Sequence, residues 1–157
     1  MRYRELGNTG LQVSEIGLGA EWLERHSAEE VKAVIDCCEA QGINILDCWM
    51  PEPTVRSNIG AAIAGTRERW IIQGHFGSTW QDRQYVRTRD MDKVAPAFED
   101  LPERLGTGYI DLGMIPFVDE EAASSRLTEG ELLAYATERQ ATARTPPHTT
   151  LEPHTCA

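Results

Sequence analysis

The chain has 157 residues, 41% of them hydrophobic, enough to bury the core of one ordinary domain. Its 15 Lys and Arg against 25 Asp and Glu leave a formal charge of -10, a field that repels phosphate backbones and anionic lipid, so neither nucleic acid nor a membrane is an expected partner. No basic, apolar leader and no apolar run of roughly 18 residues is readable, which makes the cytoplasm the expected location.

The opening segment places two short apolar stretches around Gly7-Asn8-Thr9-Gly10, a hairpin signal, followed by a strand at Ile16-Gly17-Leu18-Gly19. The two glycines of that strand would let another group approach the backbone closely. Ser27, three residues before Glu30, forms a capping box: its hydroxyl takes an exposed amide of the first turn while the carboxylate reaches back. Val31, Val34, Ile35 and Cys38 then recur as one apolar stripe, and Gly42 can take the left-handed conformation that ends a helix. Cys37 and Cys38 point about 100° apart on that helix, so at most one faces the core.

The next elements repeat this cycle. Ile43-Asn44-Ile45-Leu46-Asp47 reads as a strand, with Val55, Ile59, Ala62 and Ile63 as the following helical stripe. Trp70-Ile71-Ile72 leads to the stripe Val94, Phe98, Leu101 and Leu105, where Pro96 and Pro102 predict a kinked or divided helix. Tyr109 to Ile115 leads to Leu132, Leu133, Tyr135 and Ala136. Four β-then-α units in register predict a parallel sheet with helices packed outside it, and a parallel sheet explains why the strands are apolar runs.

From Ala141 onward the text is rich in Thr, Pro and His without apolar periodicity, predicting a disordered tail at 141–157 behind a folded unit at 1–140. His148, His154 and Cys156 lie in that tail, where nothing fixes a metal geometry, and the four cysteines match no zinc or disulfide spacing. No metal is expected.

Three segments carry a family resemblance: the run from Leu6 to Gly19, Gly42-Ile43-Asn44-Ile45-Leu46-Asp47, and Tyr109-Ile110-Asp111-Leu112. Together they resemble the aldo-keto reductases over residues 1 to about 120. That resemblance implies the N-terminal half of an eight-unit β/α barrel of the TIM type, α/β in class, with four parallel βα units behind an N-terminal hairpin. It also implies an oxidoreductase that reduces aldehydes and ketones with NADPH, using an Asp, a proton-donating Tyr, a Lys that lowers the Tyr pKa, and a His that orients the carbonyl substrate.

Position by position, Asp47 matches the family Asp, while the Tyr is replaced by Glu52, the Lys by His75 and the His by Pro116. An exposed Glu near pKa 4.3 is ionised at neutral pH and donates poorly, and Pro116 has no donor at all. Gly19 and Asp47 are the weak candidates for cofactor contact, since a Rossmann fingerprint would need Gly where Trp22 stands. Asp47, Glu52 and His75 would lie near C-terminal strand ends and could form an acid-base cluster. In the purely structural reading, Asp47 caps the following loop, His75 is a partly buried polar group and Glu52 is a solvated loop charge. Trp49 and Trp80, placed in the loops after the second and third strands, would line a pocket in a complete barrel or form exposed apolar surface in half of one.

Three functional readings follow. The chain is an oxidoreductase by descent that is inactive alone, a half-barrel that associates with itself or another chain through open sheet edges, or a non-catalytic interaction protein.

Overall fold

The computed structural model describes residues 1–116 and 130–142. The glycine turn closes the expected hairpin, β1 (Tyr3–Glu5) pairing antiparallel with β2 (Gln12–Ser14). Thr9 locks the turn from within, its hydroxyl donating to the Leu6 carbonyl at 2.6 Å. Asn44 straps this hairpin to the sheet: its side-chain carbonyl accepts from the Ser14 amide (2.8 Å) and its amide nitrogen donates to the Gln12 carbonyl (2.8 Å). The hairpin thereby sits at the end of the sheet where the second long strand begins.

The main sheet has the order β3 (Leu18–Gly19), β4 (Ile45–Cys48), β5 (Ile71–His75), β8 (Leu112–Met114), and every neighbouring pair is parallel. Three helices alternate with these strands and a fourth follows: α1 (Ala28–Ala40), α2 (Pro53–Ile63), α3 (Met91–Arg104) and α4 (Glu131–Thr142). The repeated apolar-run-then-stripe pattern thus builds the expected partial β/α barrel.

Helix α1 begins at the capping box, with the Ser27 hydroxyl accepting from the Glu30 amide and the Glu30 carboxylate accepting from the Ser27 amide at 2.8 Å. Val31, Ile35 and Cys38 are buried, whereas Val34 falls at the stripe's edge and is exposed, as is Cys37. Helix α2 adds Val55, Ile59 and Ile63 to the same core, against Leu46 and Ile72 from the strands. Gly60 marks where α2 meets the end of α3: a Cβ there would lie 2.8 Å from Leu105 Cα and against the Arg104 carbonyl, so only glycine permits that approach. Arg56, buried at 2% exposure, ties the same helices together by donating to the Met50 and Ala97 carbonyls and to Asp100 at 2.9 Å.

Several expectations need correction. The strands are shorter than the apolar runs, β3 holding two residues and β8 three, because the run ends leave the ladder. Helix α3 is not divided by Pro96 and Pro102. Pro96 lies on the exposed face, where a carbonyl deprived of its helical donor can be hydrated. The segment after β5 is not a plain loop but an antiparallel hairpin, β6 (Ser78–Gln81) with β7 (Gln84–Arg87), so Trp80 is a strand residue. Trp49 and Trp80 are half-buried rather than exposed, Trp49 packing on Tyr85 with ring centroids 4.6 Å apart. Helix α4 runs to Thr142, two residues into the expected tail, and the rest of that tail, with His148, His154 and Cys156, lies outside the described residues. No described helix is long and apolar enough to cross a membrane.

Candidate active site

Side chains alternate along a strand, so Leu46, Cys48 and Ile72 face the helices while Asp47, Gln73 and His75 face the opposite side of the sheet. The register places Gly19 beside Asp47 and Asp47 beside Gln73, with His75 beside Met114 one step toward the C-terminal rim. Two candidates picked from the sequence are brought into direct contact: His75 Nε2 lies 2.7 Å from Asp47 Oδ1. Asp47 is half-buried, its side chain 39% exposed, whereas His75 is buried at 8% exposure.

A carboxylate only accepts hydrogen bonds, so the imidazole proton in this pair sits on Nε2. His75 Nδ1, on the far side of the ring, is buried without a hydrogen-bond partner. Gln73 completes the cluster. Its amide nitrogen donates to Asp47 Oδ1 at 3.1 Å and lies 3.2 Å from His75 Nε2, and with both nitrogens carrying protons, Gln73 fixes the carboxylate rather than the ring. Sequence reasoning passed over Gln73, although its spacing two residues before His75 puts both on one strand face.

Glu52 does not join the cluster. It is the N-cap of α2, accepting from the Val55 amide at 2.6 Å with Pro53 at the first helical position. Its carboxylate serves the helix start rather than standing as a free loop charge, and it raises the pKa of neighbouring Glu24, whose shift comes first from burial. Pro116 presents only a carbonyl, which accepts from Arg89 Nη2. Behind the rim, the Cys48 thiol is pushed up to about 12 by full burial, which keeps it protonated and inert at neutral pH.

A dinucleotide pyrophosphate needs cations or a cluster of free amides. The two most deeply placed guanidiniums near the sheet are taken, Arg56 by Asp100 and Arg67 by Asp111 at 2.8 Å. Gly19 has open space where a Cβ would stand, so nothing within the chain requires glycine there. The described residues include no group of three or more His, Cys, Asp or Glu able to hold a metal ion.

Parallel strands alternating with helices, with a carboxylate–imidazole pair at the C-terminal strand ends, make up part of a β/α barrel. No family model matches the chain. It is 29% identical over 133 residues to the aldo-keto reductase YhdN of Bacillus subtilis (strain 168), an alignment covering 76% of this chain and 39% of that protein. A crystal structure from Pseudomonas aeruginosa, of a protein assigned to the aldo-keto reductases, superposes with a TM-score of 0.76 at 25% identity, covering 88% of this chain and 55% of that one. An aldo-keto reductase from Klebsiella pneumoniae, crystallised in complex with NADPH, shares the fold at a TM-score of 0.54 and 19% identity over 76% of this chain and 43% of that one. The chain is a relative of the aldo-keto reductases, corresponding to the N-terminal half of their barrel. It spans about two-fifths of the length of the curated relatives it matches.

Proposed function

We propose that this chain carries one half of an aldo-keto-reductase-type oxidoreductase site, whose complete barrel would reduce a small aldehyde or ketone with NADPH, and that the 157-residue polypeptide alone does not turn over. The observation that carries the reading is the Asp47–His75 contact at the ends of β4 and β5. Asp47 keeps the family residue and holds the imidazole in one tautomer. His75 stands where the family has a Lys, and its Nδ1 is the basic atom through which a proton would move. By the family resemblance, Gly19 and Asp47 are the weak candidates for contact with that cofactor.

Against activity of the isolated chain stand Glu52, occupied as a helix cap, Pro116, which has no proton to donate, and the committed arginines. Positioned acid-base groups contribute about 10²–10⁴-fold each, so the loss of several leaves little above background. Titrating NADPH fluorescence against the purified chain, and following NADPH absorbance with a panel of aldehydes and ketones, is expected to show neither saturable binding nor turnover. Saturable micromolar binding with turnover that disappears in Asp47→Asn would overturn this and make His75 the proton donor to test next.

A second reading is favoured by the sheet itself. Among the described residues β3 and β8 each pair with one neighbour only, leaving two open edges of a parallel sheet. Association with a second copy or with another half-barrel would close them. Light scattering behind size-exclusion chromatography is expected to give a dimer or larger, and a monodisperse monomer would remove this reading.

A further inference from the structure

The two edges of the main sheet differ in chemistry. Beyond the ends of β3 stand Ile16, 60% exposed, and Trp22, 81% exposed, both outside the buried clusters. Trp22 lies in the short 3-10 turn Ala20–Leu23 that follows β3, between the exposed Glu21 and the half-buried Glu24. These carboxylates crowd one another: the Glu24 pKa is raised first by burial, then by Glu52 and, against the pull of Arg25, by Glu21. The rim beside β3 is therefore acidic. At the same end of β8 the rim is basic. The exposed Arg89 donates to the Pro116 carbonyl, two residues past β8, so its partner is a carbonyl and not a carboxylate. Its pKa is lowered first by desolvation and then by neighbouring Arg87.

The sheet face that carries Asp47 and His75 also carries Ile45 and Ile71, paired in register, and Met114 beside His75, all half-buried. The helices cover the opposite face, whereas a parallel sheet is ordinarily covered on both. Four units of an eight-unit barrel turn through half a circle, and this chain shares the curvature of the solved aldo-keto reductases. All four strands run the same way, so β3 of one copy and β8 of another meet in parallel. A head-to-tail contact whose rotation is a half-turn closes after two copies instead of growing into a filament.

We propose that the β3 edge of one copy docks on the β8 edge of a second copy at two equivalent seams, closing an eight-stranded barrel. Parallel docking brings like to like along the edges and opposite charges together at the rim. Ile16 falls beside Tyr109 and Ile110 of the second copy, which precede β8, and Trp22 beside its Ile115 and Pro116, all four half-buried. Glu21 and Glu24 come toward Arg87 and Arg89 of the second copy. The inner faces, with Ile45, Ile71 and Met114, cover each other, and two Asp47–His75 pairs share one barrel mouth. The proposal rests on the association reading given above and adds the partner, the seam and the number of copies.

Light scattering behind size-exclusion chromatography of the full chain is expected to give a dimer that does not grow with concentration. Glu21→Arg and Arg89→Glu, both at exposed positions, each set like charges against one another at both seams, and each is expected to raise the dimer Kd about tenfold or more. Mixed in equal amounts, the two variants restore opposite charges at both seams, so the mixture is expected to dimerise as the parent does. Trp22→Asp removes an apolar anchor that the fold leaves exposed and is expected to weaken the dimer by about tenfold as well. Far-ultraviolet circular dichroism checks that each variant is folded, and if Arg89→Glu is not, Glu21→Arg and Trp22→Asp decide the matter. Single variants that dimerise like the parent, a mixture no tighter than its components, or a parent that forms larger species would overturn the proposal while leaving association itself in place. A monomeric parent would overturn both.

Discussion

The two ends of this chain solve the same packing problem with different success. In the first region, α1 and α2 cover β3, β4 and β5 with side chains that reach complete burial, among them Val31, Ile35, Leu46, Ile59 and Ile72, and both helices start at side-chain caps. In the second, α3, the β6–β7 hairpin and α4 gather around a small cluster of Phe76, Val94, Leu132 and Ala136, edged by Met91, Phe98, Ile115 and Tyr135 that stay partly open. The first region looks like a finished core. The second carries two prolines within a helix and the unsatisfied hydroxyls of Ser78 and Tyr85, whereas the Asp47–His75 pair stands on β4 and β5 of the first. The candidate pair is thus held by the better-packed half of the chain, on strands whose other face is fully buried.

Truncation at matched positions breaks this comparison most directly. Leu46→Ala, at full burial in β4, is expected to cost about 2–5 kcal/mol, near the upper part of that range because neighbouring strands cannot collapse into the space. Leu132→Ala, in the smaller cluster, is expected to cost near the lower end. Urea unfolding monitored by far-ultraviolet circular dichroism measures both. Equal losses would mean that the two clusters form one core.

The regions meet where α2 touches the end of α3. Gly60→Ala introduces a Cβ into the backbone of Arg104 and Leu105, which a helix terminus cannot easily yield, and a loss of about 1–3 kcal/mol is expected. An unchanged urea midpoint would show that the second region moves freely against the first.

What could be read from the sequence follows the same boundary. The capping box, the α1 stripe and the β4 run are local patterns, and their period survives into the fold because each needs only neighbours within a few residues. The Asp47–His75 contact could be inferred because both residues end parallel strands. The β6–β7 hairpin could not, for a physical reason: its two-residue turn is Asp82-Arg83, with φ of 49° and 64°. A tight hairpin demands left-handed backbone at both positions, usually signalled by Asn-Gly, and here a charged side chain occupies the second. Without the hairpin, the packing of Tyr85 on Trp49 had no sequence signal.

That turn supplies a smaller and opposite effect. Arg83→Gly relieves a left-handed residue with a Cβ and is expected to raise stability by about 1 kcal/mol, readable as a shift of the urea midpoint to higher concentration. If the midpoint falls, the arginine side chain supports the hairpin by a contact that outweighs its backbone strain.

The smallest effect concerns Glu52, the position at which family resemblance and structure disagree most. As a helix cap it satisfies the Val55 amide, and losing a cap costs about 0.5–2 kcal/mol, here toward the lower end because Pro53 has no amide to lose and pre-sets the first turn. Glu52→Ala is therefore expected to lower stability by less than about 1 kcal/mol, and Glu52→Asn, a good capping residue without charge, to restore it. Removing the charge also relieves Glu24, whose carboxyl is raised first by burial and then by Glu52. Its pKa should fall in Glu52→Asn, as followed by carboxyl chemical shifts against pH. The sign is definite: a carboxyl raised in the folded state disfavours folding once the unfolded form ionises, so relief appears at neutral pH and vanishes in acid. A cap accounts for rescue by Asn together with that shift. Failure of Asn to rescue stability would assign Glu52 a role beyond the helix it begins.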